Sequence, residues 1–143
     1  MSFLPRKNIL AIAAVVDIAL NVRNRPVAAK ALATHHDLPP RHLEPVLQAL
    51  VREGILKGMR GPRGGYELAR DPRRITADDI LRAARTINEG GQPMSGPSLV
   101  SQIVAPALAE AENAFSSALA RISVADLTAH ALRSGTAAAG SRQ

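Results

Sequence analysis

The sequence predicts a mainly α-helical chain with one two-stranded hairpin and a long C-terminal helix. Three observations predict it. Apolar residues recur at spacings of three and four through most of the 143 residues. A glycine-rich stretch, Gly61-Pro62-Arg63-Gly64-Gly65, separates two short strand-like runs. Val100, Val104, Leu108, Ala111, Phe115, Leu119 and Ile122 then follow one another in steps of 4, 4, 3, 4, 4 and 3, the seam of a helix that packs along its length.

Taken in order, Lys7 to Asn24 reads as an amphipathic helix with Ile9, Ile12, Ala13, Val16, Ala19 and Leu20 as its stripe. Pro26 is placed to open a short alanine-rich helix, Val27 to Thr34, with Leu32 facing inward. His35-His36-Asp37 is a polar connection. Pro39-Pro40 starts a third helix reaching Glu53, whose apolar face is Leu43, Val46, Leu47, Leu50 and Val51. Pro45 lies early inside it, where a proline removes a hydrogen bond and kinks or tightens the first turns. Gly54 stops it with a left-handed cap. Ile55 to Arg60 and Tyr66 to Ala69 are the strands, and Asp71 to Arg74 is a turn. Thr76 caps a fourth helix ending near Thr86, with Asp78 and Asp79 favourable to its dipole. The long helix spans Val100 to Ile122, with Pro106 either near its start or kinking it, and Ser123 caps a short closing helix to Leu132. The expected domains are a head over residues 1–87, a linker loop over 88–99, the long and closing helices over 100–133, and a flexible tail over 134–143.

Composition excludes several function classes. The chain has no cysteine, so disulfides, thiolate redox chemistry and cysteine-ligated zinc or iron–sulfur centres are removed together. One tyrosine, two phenylalanines and no tryptophan leave too few platforms for base stacking on single strands or RNA. No apolar run is long enough to span a membrane. Ile9 to Leu20, interrupted by Asp17, reads as a core helix, not a signal peptide, and the expected location is cytoplasmic. Ser95, Ser98 and Ser101 have no organised partners for nucleophilic catalysis, and no enzyme is expected. His35-His36-Asp37 lacks the further spaced ligands of a metal site and reads as a plain turn. No cofactor and no metal are expected.

Charge separates the halves. Residues 1–85 carry 15 Lys and Arg against 8 Asp and Glu, a net +7; residues 86–143 carry 3 against 4, a net −1. A basic head on a near-neutral tail suits a polyanion partner. Three helices, a glycine-rich hairpin and a fourth helix make the order of a winged helix-turn-helix, in which the third helix enters the major groove and the hairpin reaches the backbone or minor groove beside it. Arg60 and Arg63 stand on the hairpin tip around Gly61 and Pro62. Arg6 and Lys7, and Arg41 and His42, sit at helix starts, where cations oppose the dipole and an anionic partner would offset the cost.

At these residues the chain resembles the Rrf2 transcriptional regulators, over about residues 3–132. Gly54-Ile55-Leu56-Lys57-Gly58-Met59-Arg60-Gly61-Pro62-Arg63-Gly64-Gly65-Tyr66-Glu67-Leu68-Ala69 is similar to the family's wing signature. Ile75-Thr76-Ala77-Asp78-Asp79-Ile80 resembles the helix start that follows it, Leu43-Glu44-Pro45-Val46-Leu47 its recognition helix, and Ile122-Ser123-Val124-Ala125-Asp126-Leu127 the segment closing the long helix. The resemblance implies a homodimer that binds double-stranded DNA, with Glu44 approaching bases, Arg60 at the minor groove, and Gly61 and Pro62 shaping the approach. It places Val104, Leu108, Ala111, Phe115, Leu119 and Ile122 on the dimerisation seam. The cluster-binding branch carries three cysteines between the fourth helix and the long helix; the stretch from about Glu89 to Gln102 has none. The expectation is a sequence-specific regulator without an iron–sulfur cluster. Its alternative is a winged-helix module controlled by, or acting through, a protein partner or small-molecule effector.

Overall fold

The computed structural model describes residues 4–21, 25–86 and 98–135. The expected linker core and most of the expected tail, residues 88–97 and 136–143, lie outside the described residues. The elements are α1 (Arg6–Leu20), α2 (Ala29–His35), α3 (Pro40–Arg52), β1 (Leu56–Met59), β2 (Gly65–Leu68), a 3-10 turn (Pro72–Arg74), α4 (Ala77–Arg85), a π-wound turn (Val100–Val104), α5 (Ala105–Leu119) and α6 (Val124–Ser134). Mainly helical with one two-stranded sheet, this is the winged helix-turn-helix with a long C-terminal helix that the sequence predicts. No helix among the described residues is long and apolar enough to cross a membrane.

The core lies between α1, α2, α3, α4 and the base of the hairpin. Leu32, Leu43, Leu47, Leu50, Ile55, Leu56, Ile75 and Ile80 are fully buried there, with Val124 reaching in from α6. Removing a side chain of this size from water contributes about 1.5–3 kcal/mol, so these residues dominate the head's stability. The face α1 buries is Asn8, Ala11, Ala14, Val15 and Ile18, rotated from the stripe expected at Ile9, Ile12, Ala13, Val16, Ala19 and Leu20. Asp17 is the sole charged residue between Ile9 and Leu20, and a helix apolar all round has no unique stripe to read.

Other boundaries move for local reasons. Val27 does not begin α2. It forms an isolated antiparallel bridge with Tyr66 beside the hairpin, with both backbone bonds at 2.8 Å. α1 ends at Leu20, where Asn21 turns extended. Asp71 caps the 3-10 turn by accepting from Arg73 N. α3 runs unbroken through Pro45 to Arg52, and Gly54 follows it at φ 76. The long helix starts differently from the expectation. Val100–Val104 are π-wound, with Ala105 N–H donating to Val100 O, and Pro106 occupies the first turn of α5. A proline ring collides with the carbonyl four residues back, and the wider π turn precedes it. α5 stops at Leu119, so Ile122 lies beyond the helix. α6 extends to Ser134, and Gly135 closes it in the left-handed conformation.

Two capping boxes tie α6 to the head. Thr76 pairs with Asp79 and Ser123 with Asp126, each side chain accepting from the other's backbone N–H. The two caps face each other as a β-bridge, with Ala77 N donating to Ile122 O and Val124 N to Ile75 O, both at 2.8 Å. α5 therefore leaves the head from a fixed base.

Candidate nucleic-acid interface

Two elements form the candidate surface, the outer face of α3 and the hairpin tip. α3 buries Leu43, Val46, Leu47, Ala49 and Leu50. This burial pattern forces Arg41, His42, Glu44, Gln48 and Arg52 outward, and all five are exposed. Its N-cap is Pro39, which makes no side-chain cap, and no acidic residue sits in its first turn. The N-terminal N–H groups and the positive end of the dipole thus face outward beside Arg41, an arrangement suited to phosphate. Gln48 and Arg52 were not singled out from sequence. The burial periodicity of α3 is the signal that finds them, since they follow Arg41 and Glu44 at helical spacing on the outer face.

The hairpin pairs Leu56 with Leu68, Lys57 with Glu67, Gly58 with Tyr66 and Met59 with Gly65. Arg60 to Gly64 form the tip, closed by Gly64 N donating to Gly61 O at 2.9 Å. Gly61 has φ 110, a conformation that L side chains rarely adopt. At Gly65 a Cβ would lie 2.5 Å from the Val27 carbonyl, so glycine there admits the bridge from Val27. Tyr66 is half-buried and packs on the core from the hairpin base. Both ends of the wing are therefore constrained, and the tip presents Arg60, Pro62 and Arg63 exposed.

Ion pairing sorts the basic residues. Lys57 pairs with Glu67 at 3.4 Å, Arg70 with Asp79 at 3.7 Å, and Arg82 with Asp78 at 2.9 Å. Arg73 meets Asp71 at 2.8 Å, and its side-chain hydrogen bond holds the Asp71 carboxyl at about 2. Among the described residues, Arg41, Arg60 and Arg63 have no such partner, a state they share with Arg6, Arg52, Arg74 and others elsewhere on the chain. Arg41 stands at the start of the exposed face of α3, and Arg60 and Arg63 stand on the hairpin tip.

The remaining predicted residues divide. Arg6 is exposed at the start of α1. Lys7 is half-buried, with Nζ shielded and without a hydrogen-bond partner, so its charge is not displayed toward solvent. On the predicted seam, Val104, Leu108, Ala111 and Ile122 are exposed. Leu119 is buried with Ala77 and Leu81 of the same chain, and half-buried Phe115 packs beside it. These two turn toward the head, where a helix seam read from sequence does not distinguish a neighbour in the chain from one outside it.

Comparison with known proteins follows the same lines. A family profile described as Rrf2, iron-dependent transcriptional regulator, matches residues 4–130. BadM of Rhodopseudomonas palustris, named as an HTH-type transcriptional regulator, is 43% identical over 68 residues, which are 48% of this chain and 43% of that protein. The Synechocystis protein slr0846, named likewise, is 39% identical over 80 residues, 56% of this chain and 54% of that one. The chain thus spans about half the length of the curated relatives it matches. Among solved structures, T. potens IscR superposes with a TM-score of 0.70 at 27% identity, covering 91% of this chain and 88% of its own. CymR, the global cysteine regulator of B. subtilis, superposes at 0.67 and 22% identity, covering 91% and 98%.

Proposed function

The chain belongs to the Rrf2 family of transcriptional regulators, and from that premise we propose that it is a sequence-specific double-stranded DNA-binding regulator acting as a homodimer. The observation that carries the reading is Arg60 and Arg63, exposed and without an ion-pair partner on a glycine-shaped wing, together with the exposed N-terminal face of α3. Arg41, with the open helix start, positions the protein on phosphates; Glu44 and His42 approach base edges. Arg60 enters or borders the minor groove, and Arg63 anchors the backbone next to it. Arg6 adds a phosphate contact at the start of α1, and Lys7 joins it only by swinging Nζ outward.

The homodimer rests on the exposed apolar row Leu99, Val100, Ile103, Val104 and Leu108. Pairing these rows holds two heads to successive major grooves about 34 Å apart. The family description carries iron dependence, and the donor set here does not fit a thiolate-held iron centre, because the chain has no cysteine. DNA binding in this reading needs no iron–sulfur cluster. The protein works in the cytoplasm and has no catalytic turnover.

Fluorescence anisotropy on its own promoter DNA tests the reading. Arg60→Ala should weaken binding about tenfold or more, since a groove contact is worth about 1–3 kcal/mol, while the unfolding midpoint stays unchanged. Wild-type affinity in that variant, or its unfolding, would contradict the wing assignment.

A further inference from the structure

We infer that Asp17, His36 and His35 form a positioning clasp that sets the recognition helix for operator DNA. The Asp17 side chain projects from α1 to the connection between α2 and α3, the turn of the helix-turn-helix. His36 Nε2 lies 2.7 Å from Asp17 Oδ2, and His35 Nδ1 lies 3.5 Å from the same oxygen. An ionised carboxylate only accepts, so His36 Nε2 carries the donated proton. The pair spans 19 residues of sequence, and its side chains are only 20% and 27% exposed. A hydrogen bond so placed is less competed by water than a surface pair.

The turn needs such a hold. Asp37 has φ 54 and is the one non-glycine residue with positive φ among the described residues. That conformation is strained for a residue with a Cβ. The backbone secures it through Asp37 N to Thr34 O at 3.2 Å and Leu38 N to Ala33 O at 2.9 Å. α1 and α3 themselves touch only sparsely. The clasp therefore adds a polar side-chain link between α1, which is embedded in the core, and the turn that precedes α3, beside the apolar packing the helices share. Among the described residues no group of three or more His, Cys, Asp or Glu is arranged to hold a metal ion.

This inference rests on the DNA-binding reading for its effect and on the turn alone for its geometry, and the test separates the two. Anisotropy is measured with the full chain on promoter DNA and on an unrelated duplex of equal length. His36→Ala and Asp17→Ala should each lose about tenfold on promoter DNA and less than twofold on the unrelated duplex. The double variant should be no worse than either single one. His36→Gln, whose amide still donates, should recover to within threefold of wild type. Amide hydrogen exchange at His36, Asp37 and Leu38 should speed up about tenfold in His36→Ala without DNA, while amides of α4 keep their rates. Unchanged exchange at the turn overturns the clasp whatever the DNA result. Faster exchange with wild-type promoter affinity overturns its positioning role, as does an equal loss on both duplexes or additive losses in the double variant. A wild-type protein that fails to prefer promoter DNA overturns the DNA-binding reading instead.

Discussion

The head and the long helix solve different packing problems with similar residues. In the head, α3 buries Leu43, Leu47 and Leu50 to 1% exposure or less. α5 has as many residues as α1, yet Leu119 is its one buried residue, while Leu108 is 57% exposed. The head is complete within one chain. The first half of the long helix, with the π turn before it, leaves Leu99, Val100, Ile103, Val104 and Leu108 in water, a contiguous apolar run of the kind that marks an interaction surface. The same amino acid is therefore buried in one region and left exposed in the other.

Exchanging leucines tests that contrast most strongly. Leu47→Ala should cost about 2–5 kcal/mol, the price of a cavity in a close-packed core, read as a lower urea midpoint at every protein concentration. Leu108→Asp should leave the head folded by circular dichroism but shift the sedimenting species from two chains to one. It should also remove the concentration dependence of the melting temperature. A dimer of unchanged mass would reject the exposed row as the interface. The smallest effect belongs to the junction between the two regions. Ser123→Ala should cost about 1 kcal/mol through the lost cap, and it should loosen α6 before the head unfolds, seen as faster amide exchange in α6 alone. Equal loosening of the head would show that α6 and the head open as one unit.

Local signals were the legible ones. Gly54 announces the end of α3, Thr76 and Ser123 announce two helix starts, and the Arg60–Gly65 stretch announces a tight tip because its chemistry is contained within a few residues. What escaped depends on distant partners. Val27 joins the hairpin through Tyr66, nearly forty residues on, although its own neighbours favour helix. The apolar surround of α1 hid which face it buries. The heptad spacing of α5 could not reveal that Phe115 and Leu119 turn back on Ala77 and Leu81. Lys7 sits beside Arg6 in sequence but turns its ammonium away from solvent. His35-His36-Asp37 read as a plain polar turn because Asp17, which organises it, lies a helix away.

The central claim is that the exposed arginines of α3 and the wing bind DNA. Anisotropy titration of promoter DNA at about 0.1 and 0.3 M salt, with excess unrelated competitor, tests it most directly. The account predicts competitor-resistant binding that weakens by tenfold or more at the higher salt, as phosphate-held counterions are released. Binding abolished by competitor at both salts, or indifferent to salt, would contradict it.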